Sequence, residues 1–272
     1  MQKHLIVASL VAAGLAATVA TTPAVAQAKS AADGIAEYRA MLADGNPAEL
    51  FEAKGEDIWK KKRGPKNASL EQCDLGRGPG IVKGAFVELP RWFADTGRVQ
   101  DLESRLLTCM ERLQGFDAAE IARTPFGKGE QRTMEGLTAW ISAASRGLKF
   151  NLPQSHAEER KTFELGKRAF FYRSGPYDFA CASCHGQPNQ RIRLQDLPDL
   201  TKNPGNGIGF AAWPAYRVSS GELWSMQRRL NDCFRQQRFP YPGYASEVTI
   251  ALGVYMGVNA NGAESIAPAL KR

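Results

Sequence analysis

The stretch Phe179-Ala-Cys-Ala-Ser-Cys-His185 holds two cysteines three positions apart, with a histidine directly after the second. In an exported chain this C-x-x-C-H pattern is an attachment site for c-type haem. The two thiols add across the vinyl groups of the porphyrin, and the two-residue spacer matches the separation of those groups. The adjacent His185 then reaches the iron from one face as proximal ligand. Two other readings compete. A redox dithiol calls for a βαβ pattern nearby, which the sequence lacks. Half a zinc site needs further ligands, and only His156 and Cys233 stand out. The motif occurs once, so the expectation is one covalently bound c-type haem held by Cys181, Cys184 and His185.

The N-terminus supplies the export context. A short positive start, an apolar run over Leu5–Ala20 and Ala24-Val-Ala26 before Gln27 form a secretory signal with cleavage after Ala26. The expected location is periplasmic. The apolar run is too short to span a bilayer comfortably, and no other stretch approaches that length. Net charge is +7, which favours an anionic partner or substrate. Lys and Arg are dispersed and no nucleic-acid motif occurs, so nucleic acid is not an expected partner.

The chain also repeats itself. LPRWFADTGRVQDLESRLLTC (residues 89–109) parallels WPAYRVSSGELWSMQRRLNDC (213–233), and residues 135–147 parallel 247–259. Upstream, Cys73-Asp-Leu-Gly76-Arg77 occupies the place of Cys181-Ala-Ser-Cys184-His185. That first copy lacks the second cysteine and the histidine, so it reads as haemless. The fold class expected is therefore all-α: two cytochrome c-like domains related by internal duplication, the first haemless, with an N-terminal arm. The boundaries are signal 1–26, arm 27–49, haemless domain 50–150 and haem domain 151–272.

Five cysteines leave an odd one in an oxidising compartment. With Cys181 and Cys184 on haem, Cys73 and Cys109 of the haemless repeat are expected to form a disulfide, worth roughly 3–4 kcal/mol by loop entropy. Cys233 remains. Ser219-Ser-Gly-Glu222 reads as a capping box opening a helix, with Leu223, Met226, Leu230 and Cys233 on one stripe. Arg229 lies one turn before Cys233, while Arg228, Arg235 and Arg238 fan to other sides. A cysteine on such a stripe is ordinarily a small buried hydrophobe. Being unpaired, 48 residues after His185 and ringed by arginines, Cys233 is also a candidate distal haem ligand. Met226 and Met256 compete for that role; His156 reads as a solvated linker residue.

Taken together, LEQCDLGRGPG (70–80), LPRWF (89–93), DLESRLLTCM (101–110), CASCHG (181–186), WPAYR (213–217) and RRLNDCFRQQRFP (228–240) resemble the SoxA family, the larger subunit of the SoxAX cytochrome of bacterial sulfur oxidation. The likeness covers nearly the whole mature chain and is to the single-haem type. It implies that Cys233 is the distal ligand, often carried as a persulfide, and that Arg229 binds substrate. It also implies a SoxX-type monohaem partner and a SoxYZ-type carrier whose cysteine is conjugated to thiosulfate, an L-cysteine S-thiosulfotransferase activity. The alternatives are a plain electron-transfer cytochrome, a haem-bearing scaffold, and a thiosulfate dehydrogenase that forms tetrathionate.

Overall fold

The computed structural model describes residues 30–43, 45–192, 195–202 and 208–271; the expected export signal and the first residues of the arm lie outside them. Helices α1 (Ala31–Ala43) and α2 (Ala48–Lys60) come first. A hairpin of β1 (Arg91–Phe93) and β2 (Arg98–Gln100) leads into α3 (Leu102–Cys109), and α4 (Ala118–Arg123) and α5 (Gly129–Ala143) follow. The second half runs α6 (Ala157–Phe171), α7 (Cys181–His185), β3 (Gln190–Ile192), β4 (Gln195–Leu197), α8 (Ile208–Ala211), β5 (Ala215–Arg217), β6 (Glu222–Trp224), α9 (Met226–Gln236), α10 (Glu247–Asn259) and β7 (Ala269–Lys271).

Each half is built on a crossed helix pair, and glycine sets the closeness of the crossing. A Cβ on Gly55 of α2 would collide with the carbonyl of Gly136 on α5, and one on Gly166 of α6 with the carbonyl of Ala251 on α10. Aromatic pairs seal the crossings: Trp59 against Trp140 at 5.5 Å, Phe170 against Tyr255 at 5.0 Å. The two apolar cores interlock, because Tyr244 of the second half joins the first core and Val87 of the first half joins the second.

The fold is mostly helical but not purely so, which corrects the all-α expectation. There are three small sheets among the described residues: β1–β2, β3–β4 and β6–β5–β7, the last with β5 and β7 parallel. The polar segments before α3 and α9 are hairpin turns, since Gly97 and Gly221 take positive φ at 63° and 66° and aromatic and β-branched residues flank them. Ser219–Glu222 therefore opens no helix: Ser220 and Gly221 donate back to the Arg217 carbonyl. Helix α9 starts at Met226, capped by Ser225, whose side chain accepts from the Arg228 amide. Leu223 belongs to β6 and packs with Ala48 and Ala139 rather than on the helix stripe.

Cys73 and Cys109 form a disulfide that closes 36 residues of the first half. After Cys73 the chain forms a loop, with Asp74 accepting from the Gly76 and Gly78 amides at 2.7 and 2.9 Å. Arg77 pairs with Glu88.

Gly166→Ala is expected to lower folding stability by at least about 2 kcal/mol, because a methyl group must push the crossed backbones apart. Gly147→Ala, where a Cβ meets nothing within 4 Å, is expected to cost less despite its positive φ. Urea denaturation of the two variants checks the order; equal losses would contradict the crossing argument.

Candidate functional site

Helix α7 is a single short turn. The Ala180 amide donates to Ser183 Oγ at 3.0 Å, fixing its start. The spacing of three places Cys181 and Cys184 on one face. His185 Nδ1 lies 2.9 Å from the Pro198 carbonyl. A carbonyl only accepts, so Nδ1 carries the proton and Nε2 keeps its lone pair for a metal. Burial lowers the His185 pKa against the opposing hydrogen bond to Pro198, and Arg229 adds to the effect, which favours the neutral ring. Cys181 and Cys184 are both free. Burial, then the charge of Cys233, pushes the Cys181 thiol up to about 12. Cys181 and Ala182 pack against an apolar cluster that includes Leu200, Phe210 and Leu230. Two free thiols on one face, an imidazole with its outer nitrogen available and an apolar wall fit covalently attached haem.

Helix α9 brings Cys233 into this neighbourhood. Its thiol is free and is raised by burial, while Arg229 draws it back down; Cys184 and Arg217 act on it as well. The four arginines of the stretch 228–238 have separate fates. Arg228 is tied to Glu135 at 2.9 Å and to Glu222, between the rings of Trp224 and Phe126. Arg235 pairs with Asp232 at 2.7 Å, and Arg238 lies over Tyr177. Arg229 contacts Asp232 at 3.1 Å and Trp213 at 5.9 Å, with about a quarter of its side chain open (27%).

The competing residues are placed too. Met256 is buried in the second core and Met226 packs at its edge. His156 is exposed, but it is no linker residue: it caps α6 and stacks on Trp92 at 4.3 Å.

Sequence reasoning missed Glu103. This α3 carboxyl is buried between the halves and accepts from Ser225 Oγ at 2.8 Å and Tyr244 Oη at 2.9 Å. Gln227 donates to Asp101 at 2.6 Å beside it. The first half thus grips the N-terminus of the helix that carries Arg229 and Cys233. No periodicity separates Glu103 from a solvated helix glutamate, so the sequence holds no signal for it.

A cytochrome c domain model of SoxA and TsdA proteins matches residues 54–150. The L-cysteine S-thiosulfotransferase subunit SoxA of Hydrogenophilus thermoluteolus is 56% identical over 238 residues, covering 88% of this chain and 87% of the relative. A SoxA subunit of Hydrogenobacter thermophilus is 28% identical, with 92% of each chain covered. A chain of the crystal structure of SoxXA from P. pantotrophus shares the fold at TM-score 0.72 and 22% identity, over 87% of this chain and 84% of that one. Fold and site define a c-type cytochrome, a protein that carries haem bound covalently. More particularly, the chain belongs to the SoxA family of L-cysteine S-thiosulfotransferase subunits.

Burial holds Glu103 at about 8, against an ordinary value of 4.5. Between those values the folded chain keeps a proton that the unfolded chain has released. Stability therefore falls as pH rises through this window, by at most about 1.4 kcal/mol per pH unit from this group. Glu103→Gln is expected to flatten that slope, so the stability advantage of the wild type shrinks as pH rises. Urea midpoints of both proteins across the window check it; an unchanged slope contradicts it.

Proposed function

We propose that this chain is the larger subunit of a periplasmic cytochrome that joins thiosulfate oxidatively to a cysteine thiol of a SoxYZ-type carrier. The observation that carries this reading is an unpaired, half-buried Cys233 that shares its electrostatic surroundings with Cys181, Cys184 and Arg229. In this reading Cys181 and Cys184 would attach one haem, and His185 and Cys233 would ligate its iron. A haem so held supplies a one-electron carrier beside the reacting sulfur.

The remaining roles fall to the chain's own side chains. Thiosulfate is a small dianion, and the Arg229 guanidinium offers paired hydrogen bonds to its oxygens. The Cys233 sulfur receives and passes on the sulfur chain as a covalent catalyst. Overall a carrier thiol and thiosulfate become a carrier S–S–sulfonate, with one proton and two electrons released. The new bond is sulfur–sulfur, the carrier S–H bond breaks, and the two sulfurs that join are oxidised. The two electrons would leave one at a time through a SoxX-type monohaem partner, a reading supported by the likeness to a chain of SoxXA.

The same proposal covers the domain plan. Residues 50–150 form a haemless domain and 151–272 the haem domain, related by duplication, with the export signal removed after Ala26. Supporting it, both halves carry a hairpin followed directly by a helix that ends in or carries a cysteine, and Gly76 and Arg77 stand where Cys184 and His185 would be needed. Asn46, near the end of the arm, reaches the far end of the chain, where it donates to the Pro268 carbonyl at 3.1 Å.

Cys233→Ala in the holo complex, with haem content confirmed, is expected to lower thiosulfate conjugation by about 100-fold or more. Mass spectrometry of the carrier cysteine after reaction reads the product. Full conjugation by a variant with intact haem would remove Cys233 from the chemistry and leave an electron carrier.

A further inference from the structure

The hairpin–helix segments of the two halves run at one constant offset. Every residue from Leu89 to Cys109 has its counterpart 124 positions later, from Trp213 to Cys233, without a gap. The strands and helix starts obey the same offset: Arg91–Phe93 and Ala215–Arg217, Arg98–Gln100 and Glu222–Trp224, Leu102 and Met226. Arg105 is thus the counterpart of Arg229. Its surroundings show what a satisfied arginine at this place requires.

Arg105 is buried and fully engaged. It contacts both oxygens of Asp95 at 2.9 Å, donates to the Asp74 carbonyl at 2.6 Å and lies 4.1 Å over the Phe93 ring. In the second half, the counterpart of Asp95 is Ser219 and that of Phe93 is Arg217. The carboxylate and the ring that close the first site are replaced by a hydroxyl and a second guanidinium. Arg229 keeps Asp232, which it shares with Arg235 and Gln236, and lies 5.9 Å from the centre of the Trp213 ring.

Arg217 is poorly satisfied by protein. Its Nε is buried without a hydrogen-bond partner. Its remaining contacts are a long hydrogen bond to Ser219 Oγ at 3.4 Å and the face of Trp224 at 4.6 Å. Among the described residues no carboxylate pairs with it. Burial and then the charge of Arg229 disfavour its charged form, Asp232 opposes them from a distance, and Cys233 lies within its electrostatic reach. Two like charges held together in a partly buried place, with one donor unused, make a site that an anion completes.

We infer that Arg217 is a second substrate-binding residue, which with Arg229 clamps the sulfonate oxygens of thiosulfate and leaves its terminal sulfur facing Cys233. The inference rests on the thiosulfate chemistry proposed above. It adds to it a specificity element: two guanidinium forks match three anionic oxygens, whereas a sulfur end is a weak acceptor.

The test uses the holo complex with its partner subunit. Arg217→Gln removes the fork, Arg217→Lys keeps the charge without it, and Ser219→Asp restores on an exposed turn the carboxylate that the first half has. Binding of thiosulfate is read by calorimetry without carrier, and turnover by carrier conjugation. Arg217→Gln is expected to raise Kd and KM by about 10-fold or more, with kcat changed by less and the haem absorbance unaltered. Arg217→Lys falls between. Ser219→Asp also raises Kd, because an internal anion competes, while thermal stability rises. Kd and KM within about twofold of wild type in both Arg217→Gln and Ser219→Asp overturn the clamp; if Arg217→Gln does not fold, Arg217→Lys and Ser219→Asp decide. A wild-type complex that binds thiosulfate but does not conjugate it defeats the functional reading and leaves the clamp standing.

Discussion

At Cys233 two physical effects oppose one another. Burial resists ionisation of the thiol, and the guanidinium one turn earlier favours it. Such a balance holds only if the helix, its arginine and the thiols of α7 keep fixed relative positions. Much of the second half serves that end. The short α7 is pinned through His185 to the Pro198 carbonyl, and α9 is pinned at its first turn by Ser225 and by Glu103 from the other half. The site is therefore a product of both halves, although its attachment residues sit in one.

The two hairpin–helix segments show how little separates a structural arginine from a chemical one. In the first, Arg105 finds a carboxylate, a carbonyl and an aromatic face, and the cysteine four residues on is locked in a disulfide. In the second, the corresponding arginine has one carboxylate and a more distant aromatic face but no carbonyl partner among the described residues, and the cysteine stays free. Satisfied charge stabilises a fold; charge left short of partners in a partly buried place is available for a ligand. The change takes two residues of the hairpin, Phe93 against Arg217 and Asp95 against Ser219.

Much of this was legible in the sequence, for identifiable reasons. C-x-x-C-H is a covalent requirement and admits few alternatives. The helices around Glu135 and Glu247 show in their small and apolar residues, because close helix crossings need them. The start of α9 was not legible: Ser219 and Glu222 have the spacing of a capping box, yet Gly221 turns the chain and Ser225 is the cap. The small sheets were missed for the same reason, since strands of three residues are too short to show alternation. Glu103 and the fate of Arg228 depend on contacts between segments 93 residues apart for Glu135–Arg228 and 122 for Glu103–Ser225, and local pattern does not record them.

The central claim is that Cys233 and His185 would together ligate the haem iron. Electron paramagnetic resonance of the ferric holo complex addresses it directly, because an anionic sulfur and a neutral thioether split the iron orbitals differently. The account predicts a low-spin signal of imidazole and thiolate-type sulfur that is lost on replacing Cys233. A signal of imidazole and methionine, unchanged by that replacement, would contradict it.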